Sequence, residues 1–540
     1  MNTQQLAYLK CLPILRNATR LRLSWFLILL LIAFTGGCTG ICEYVHNGFK
    51  VGPNYCPPAA PVADEWLEAS DPAVETSQIE DACWWRTFND PVLNSLVDTA
   101  YQQNLSVRVA GLRILEARAL RAIAAGELFP QQQSAFGGYT RNGISKSSLT
   151  GAYVPTRFFS EWDLGTGLSW ELDFWGRFRR SIEAADAKLD ASVENYDHVL
   201  VLLVAEVARS YTDIRIAEQR LAYARRNLEI QKGSLRIAEN RLRAGATTRL
   251  DVTQAKSDLA NTEAGIPLLE STRQVAMNQL CVLLGMPPQN LDATLAGANG
   301  IPGVPARVAI GIPAELIRRR PDIRKAEREV AAQSALIGVA ASELYPHFSI
   351  DGTIYFDATE FTDLFKADSI AGSVGPSFRW NILNYGRLVN NVRVQESRFQ
   401  QLAVEYQNKV LQANAEVENA LIRFLKSQQR VHSLKQSAEA ANQSVELVTS
   451  QYHEGIVDFN WVFNAQRFLT QQQDQLALAE GSVVQNMIQL YAALGGGWQI
   501  RLGNLVVERL PEIQQPAEAI LAPDPTTPPQ RAPALPAPTP

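Results

Sequence analysis

WELDFWGR (170–177) returns 210 positions later as WNILNYGR (380–387), and in both copies an alternation of apolar and polar residues stops at a Gly-Arg pair. Leu168, Trp170, Leu172 and Phe174 interleave with Ser169, Glu171 and Asp173, the period of a strand with one oily and one wet face. In the echo, Phe378, Trp380 and Ile382 alternate with Ser377, Arg379 and Asn381. A long helical pattern follows each Gly-Arg. A strand-to-helix seam used twice implies an internal duplication.

Downstream of each seam the apolar residues fall at intervals of seven. They are Val193, Leu200, Val207, Ile214, Leu221, Leu228, Leu235 and Leu242 in the first copy, and Ala403, Val410, Val417, Phe424, Val431, Ala438, Val445 and Tyr452 in the second. A sustained heptad predicts left-handed coiled coil. Ser181 to Arg243 alone would make about 95 Å of helix at 1.5 Å per residue, longer than a globular domain needs. Each long helix ends at a glycine turn, Gly245 or Gly455, and an antiparallel return with the same spacing (Leu259, Ile266; Leu469, Leu476, Val483, Leu490) ends at Gly285 or Gly495.

Upstream, Asp90-Pro91 is a helix start, and the helical pattern runs to AGELFP (125–130) with a break near Asn104. AGELFP recurs as ASELYP (341–346), offset by 346 − 130 = 216, so the six-residue difference falls between the proline and the seam. Those segments read as β-hairpins, about 131–175 and 347–385, in which Phe348, Ile350, Ile354 and Phe356 alternate with Ser349, Asp351, Thr353 and Tyr355. Two hairpins give four strands of about ten residues, a length that suits a tilted membrane strand. Four strands cannot close a barrel, whose minimum is about eight. Several chains must therefore contribute strands to one barrel.

The N-terminus reads as an export signal (1–37), with Lys10, Arg16, Arg20 and Arg22 before an apolar run and Thr35-Gly36-Gly37-Cys38 after it. No later segment offers 18 consecutive apolar residues, so a membrane-embedded part must be β. A Pro-rich extended linker fills 38–66, and the Pro/Ala-rich tail 511–540 is expected to be disordered. Between them lie two repeats, 67–300 and 301–510, whose helical hairpins span 176–285 and 386–495. Cys56, Cys83 and Cys281 lack metal-ligand spacing; a Cys56–Cys83 disulfide is permitted by an oxidising compartment but not indicated. The five histidines lack ligand spacing, and no catalytic motif or cofactor loop is present, which points away from an enzyme. A net charge of −5 argues against a general nucleic-acid binder. Arg318, Arg319 and Arg320 read as braces for shorter helices rather than as an anion site, and Trp162, Trp170, Trp175 and Trp380 suit a membrane-interface girdle.

With VGPNY and its proline run, IPAELIRRRPDIRKAEREVAAQSALIGVAASELYP (312–346), the two Gly-Arg seams and both glycine-turn hairpins, the chain resembles the TolC-like outer-membrane efflux channels, in their lipoprotein branch. The resemblance covers about Val51 to Trp498. It implies a homotrimer with a twelve-stranded β-barrel, four strands per chain, continued by a coiled-coil α-helical barrel into the periplasm. It also implies an outer-membrane location, docking to a periplasmic adaptor and an inner-membrane, proton-driven pump, passive conduction of drugs, toxic compounds or metal ions, and no cofactor. Cys38 resembles the acylated cysteine of bacterial lipoproteins, although Thr35 stands where that motif usually has Leu. An unmodified signal cysteine, or cleavage elsewhere with Cys42 as the relevant thiol, are the other readings.

The resemblance places adaptor-contacting tips at Arg241–Gly245 and Gln451–Gly455, and a pore constriction at Asp458, Phe459 and Asn460. Phe459 would close a narrow ring by size and dewetting, and Asp458 would favour cations. One helical turn further in, Asn464 replaces the family's frequent acidic residue, with Arg467 following, so the charge of the gate is open. Gly245 and Gly455 read equally well as plain helix-ending glycines. Gly176, Arg177, Gly386 and Arg387 become the junction between barrel and helices. Two other functions fit the residues: a duct for protein secretion on the same fold, and a periplasmic coiled-coil scaffold without a pore.

Overall fold

The computed structural model describes residues 41–75, 83–145, 147, 156–298, 300–305 and 307–502; the expected signal peptide, Cys38 and the 511–540 tail lie outside them. Helix α1 (Ile41–His46) and a two-residue strand β1 (Val74–Glu75) precede α2 (Pro91–Gln103) and α3 (Leu105–Gly126). Strands β2 (Gln132–Gly143) and β3 (Phe158–Leu172) lead into α4 (Arg177–Arg243) and α5 (Arg249–Leu283). The second half repeats this order. After α6 (Asp292–Leu295), β4 (Val308–Ala309) and α7 (Leu316–Arg319) come α8 (Pro321–Ser342), β5 (His347–Ala358), β6 (Ile370–Arg379), α9 (Arg387–Glu454) and α10 (Phe459–Ala493). The long helices match in length, 67 residues for α4 and 68 for α9, and both returns have 35.

Local chemistry sets the boundaries. Asp90 caps α2, its Oδ1 accepting from the N–H groups of Val92 and Leu93 at 2.9 and 3.1 Å. The expected break at Asn104 is real: its Oδ1 accepts from Ser106 N and Val107 N, and its Nδ2 donates to Leu283 O at 2.8 Å. All four helix-ending glycines have positive φ, and each ends its helix in a Schellman turn. At the first tip, for example, Ala246 N donates to Arg241 O at 2.8 Å and Gly245 N to Leu242 O at 3.0 Å.

Strands β2, β3, β5 and β6 form one antiparallel sheet in that order, with β2 and β6 as its edges. Directly opposed residues share a face. The register therefore puts Tyr139, Trp162, Leu164, Leu168, Ile354, Phe356, Val374 and Phe378 on one side, with most of the polar side chains on the other. On the polar side Ser169 Oγ and Ser377 Oγ donate to the two oxygens of Asp351 at 2.6 and 2.7 Å. One expectation is corrected. Both strands stop short of their seams: β6 ends at Arg379, leaving Trp380 and Ile382 outside the sheet, and β3 ends at Leu172 before Phe174. The backbone must leave the ladder before it turns into a helix, so alternation in sequence overruns the strand.

At 1.5 Å per residue α4 and α9 are each about 100 Å long. Leu200, Val207, Ile214 and Leu221 of the first heptad series, and Val410, Val417, Phe424, Ala438, Val445 and Tyr452 of the second, are buried within the single chain; the other six positions are half-buried. Beyond Leu221 the core of α4 shifts to polar residues. Asn227 Nδ2 donates to Gln473 Oε1 at 2.9 Å, Gln231 Nε2 to Asp258 Oδ2 at 3.0 Å, and Gln466 Nε2 to Ser234 Oγ at 2.6 Å.

Shorter helices brace the long ones through arginine. Arg320, buried at the start of α8, donates two hydrogen bonds to Asp322 at 3.0 and 2.9 Å, one to Glu416 on α9 and one to Ala493 O at the end of α10. This agrees with a bracing role for Arg320; Arg318 is exposed. Burial alone would raise the pKa of Asp322, but the Arg320 guanidinium outweighs it and holds the carboxyl below its ordinary value. Arg320→Met should cost about 3–5 kcal/mol by stranding buried Asp322, measured by denaturant unfolding. The stabilisation from this pair should be complete above the usual carboxylate range and fade as pH falls through the depressed pKa of Asp322.

Candidate functional site

The first seam is closed by the N-terminal linker lying across it. Gly176 has φ +81°, and a Cβ there would come within 2.6 Å of Lys50 Cγ and 2.8 Å of its Cα. Arg177 Nη1 donates to Glu171 Oε1 at 3.1 Å, and its Nε lies 3.4 Å from Glu343 Oε1. His347 Nδ1 meets the same Glu171 oxygen at 2.8 Å. This cluster joins β3, α4, β5 and the end of α8. The second seam is open by comparison. Gly386 has φ +79°, but its nearest neighbour would be Asn390 Nδ2 at 3.6 Å, and Arg387 is exposed.

No sequence motif marks the residues that hold the linker. Arg180, almost fully buried, donates to Val51 O at 3.2 Å, Gly52 O at 3.0 Å, Asn54 Oδ1 at 3.0 Å and Glu183 Oε2 at 2.7 Å. Arg179 donates to Gly48 O and Phe49 O, both at 2.8 Å. A Cβ at Gly52 would lie 2.5 Å from Gly338 Cα, so linker and α8 cross backbone to backbone. The pairing of VGPNY with an Arg-Arg just after the seam is visible as residue types, but not as contacts more than 120 positions apart. Cys56 is a free, exposed thiol, so the Cys56–Cys83 disulfide does not form.

At the far end the two helical hairpins meet tip to tip. The Arg241 guanidinium lies over the Tyr452 ring, 4.6 Å from its centroid, and Nη1 donates to Tyr452 O. Tyr452 and Phe459 pack edge to face at 5.4 Å within a cluster of Ala238, Val252, Ala255 and Val462. Phe459 is 1% exposed, which corrects the expectation that it forms a constricting ring: its ring is used up inside the tip core of its own chain. Asp458, the N-cap of α10, is exposed, as are Asn460, Asn464 and Arg467. The last three recur at i, i+4 and i+7, one face of α10. Gln451, Gly245 and Gly455 are exposed at the turns. Trp461 is 64% exposed beside that face, a position that no periodicity in the sequence distinguishes.

A four-stranded open sheet with one apolar face, running into about 100 Å of coiled helices, defines the class: an outer-membrane channel subunit. The profile described as outer membrane efflux protein matches residues 96–286 and 312–496, more than half of the chain, and the chain belongs to that family. Nodulation protein T of Rhizobium leguminosarum bv. trifolii is 32% identical over 469 residues, covering 86% of this chain and 98% of that protein. Cation efflux system protein CusC of Escherichia coli O6:H1 is 28% identical, covering 84% and 96%. Among solved structures, the outer-membrane channel OprN superposes with a TM-score of 0.78 at 33% identity, covering 83% of this chain and 99% of that one. The chain therefore has the fold of these channels, sits in the outer membrane and is not an enzyme.

Because Gly176 is fixed both by φ and by close approach, and Gly386 by φ alone, Gly176→Val should abolish assembly while Gly386→Val lowers it partially. The yield of detergent-resistant oligomer measures both. Equal yields from the two variants would remove the special role assigned to the Lys50 crossing.

Proposed function

We propose that three copies of this chain form the exit duct of a tripartite efflux system, taking small molecules from a periplasmic adaptor and an inner-membrane, proton-driven pump to the exterior. The observation that carries this is the open sheet: its edge strands β2 and β6 need partners, and its two faces are split between apolar and polar. Three such sheets make a twelve-stranded barrel with a wet interior, and the long helices continue it as a tube. The matched element order and helix lengths of the two halves support an internal duplication, with repeats at 67–300 and 301–510. So does a matched pair of hydrogen bonds, Trp170 Nε1 to Leu128 O at 3.2 Å and Trp380 Nε1 to Leu344 O at 3.0 Å.

The membrane zone is bounded by aromatic residues. Tyr139, Trp162, Phe361 and Phe365 cluster at one end of the sheet, and Phe174, Phe348 and Phe378 at the other. From Trp162 to Leu172 is about 33 Å of strand, or about 25 Å of height at the roughly 40° tilt of barrel strands, matching an outer-membrane apolar band. Arg241, Gly245, Gln451 and Gly455 then lie at the periplasmic tips, where an adaptor docks. Asp458, Asn460, Asn464 and Arg467 face the constriction. Acylation of Cys38 adds a lipid anchor. The cargo class follows the relatives in kind, small solutes or metal ions. A duct for protein secretion shares the fold and differs only in its pump.

Purified protein should run as a heat-resistant trimer in detergent and give discrete conductance steps in planar bilayers; a soluble monomer without conductance overturns the channel reading in favour of a scaffold. In the same bilayers Arg467→Ala should shift the reversal potential in a salt gradient toward greater cation preference, because it removes the cation beside Asn464. An unchanged reversal potential would place the selectivity-setting constriction elsewhere.

A further inference from the structure

Residues 44–49 run from the last turn of α1 into two successive left-handed residues. Gly48 and Phe49 both have positive φ, +65° and +60°, a conformation that a bulky side chain rarely adopts. The strain is held in place: Arg179 donates to both carbonyls while its Nε, at 2.8 Å, is fixed by Asp173 Oδ2. Tyr44 Oη donates to Phe174 O at 2.7 Å. The result of this bracing is an outward-facing apolar ledge, with Val45 52%, Phe49 53% and Phe174 53% exposed. Strain maintained to expose a phenyl ring implies that the ring has something to meet.

The ledge is continuous with the inner aromatic end of the sheet. Phe49 packs on Tyr44 at 5.6 Å, Tyr44 on Trp175 at 5.5 Å, Trp175 on Phe174 at 4.9 Å, Phe174 on Phe348 at 5.6 Å and Phe348 on Phe378 at 6.4 Å. Phe348 and Phe378 are directly opposed on the apolar face. The run of rings therefore leaves the sheet on its lipid side, where amphipathic aromatic residues are favoured at the headgroup level.

We propose that residues 44–49 form a membrane-docking foot, in which Val45, Phe49 and Phe174 enter the periplasmic leaflet of the outer membrane beside the barrel. The inference rests on the barrel reading above and adds a lipid contact outside the strands. Arg179 is its positioning residue, holding the strained turn from below. Cys38 lies three residues before Ile41, at most about 11 Å of chain. An acyl group there would enter the same leaflet, with the foot as a second, protein-made contact.

Nitroxide labels at Val45→Cys and Phe49→Cys test this in full-length protein whose other reactive cysteines are serine, reconstituted in phosphatidylethanolamine/phosphatidylglycerol vesicles. Accessibility to oxygen and to a water-soluble nickel chelate is read against Ile354→Cys on the apolar sheet face and Arg243→Cys at the tip. The expected result is an oxygen-to-nickel ratio at 45 and 49 several-fold above the tip label and below the label at 354, retained with Cys38→Ser and lost with Arg179→Gln. Water-like ratios at 45 and 49 while 354 reports lipid overturn the foot and leave the barrel standing. Loss of the ratio with Cys38→Ser assigns the contact to the acyl chain alone and also overturns it. Low access to both reagents means that another copy of the chain covers the ledge, and the foot is overturned in that case too. A water-like 354 sinks the barrel reading itself.

Discussion

In hydrocarbon every backbone N–H and C=O must find its partner within the protein. A sheet ordered β2-β3-β5-β6 violates that requirement along two edges, and no rearrangement of four strands removes them, because closure takes about eight. This chain is therefore incomplete as a membrane structure in a way its helices are not. In the proposed oligomer, satisfying the edges with further copies forces a common axis on the sheets. The split between apolar and polar faces then fixes which side meets lipid and which side meets water. The Asp351 carboxylate, held by Ser169 and Ser377, belongs to that wet side, a network tolerable only where solvent reaches.

A tilted strand and an axial helix cannot join without a sharp change of backbone direction. Both seams make the change at a left-handed glycine followed by arginine, but they solve the packing differently. At Gly176 the linker crosses the turn, and Arg179 and Arg180 tie it down through main-chain carbonyls of residues 48, 49, 51 and 52. At Gly386 the turn stays open. The asymmetry follows from the chain having a single N-terminal segment: a duplicated framework offers two equivalent grooves, and only one linker exists to fill them.

The architecture was legible because its signals are periodic. Alternation located the strands, heptads located the long helices, and the glycine spacing located the turns, since each period reflects one repeated geometry. What escaped were facts of partnership. Trp380 and Ile382 alternate as a strand would, yet hydrogen-bond pairing ends at Arg379. Phe459 stands where the resemblance places a constriction, yet its burial depends on Ala238, Val252 and Tyr452, brought together from three other helices. Arg179 and Arg180 hold the linker chiefly through its main-chain carbonyls, which carry no sequence signature.

The polar core of the tip half bears on how such a tube is held. Near the sheet, α4 is secured by Leu200, Val207, Ile214 and Leu221, whose burial is strong but non-directional. Toward the tip the same helix relies on Asn227, Gln231 and Ser234, whose bonds to Gln473, Asp258 and Gln466 are made in only one register. Asp258 is buried enough for desolvation to raise its pKa, so this register is maintained at some electrostatic cost. Apolar burial gives adhesion and amide pairing gives alignment, and the end of the tube needs alignment most, because α4, α5, α9 and α10 converge there on Tyr452 and Phe459. With Phe459 committed to that convergence, Asn460, Asn464 and Arg467 stand exposed in a row on one face of α10, the face that the proposed duct turns toward its solutes.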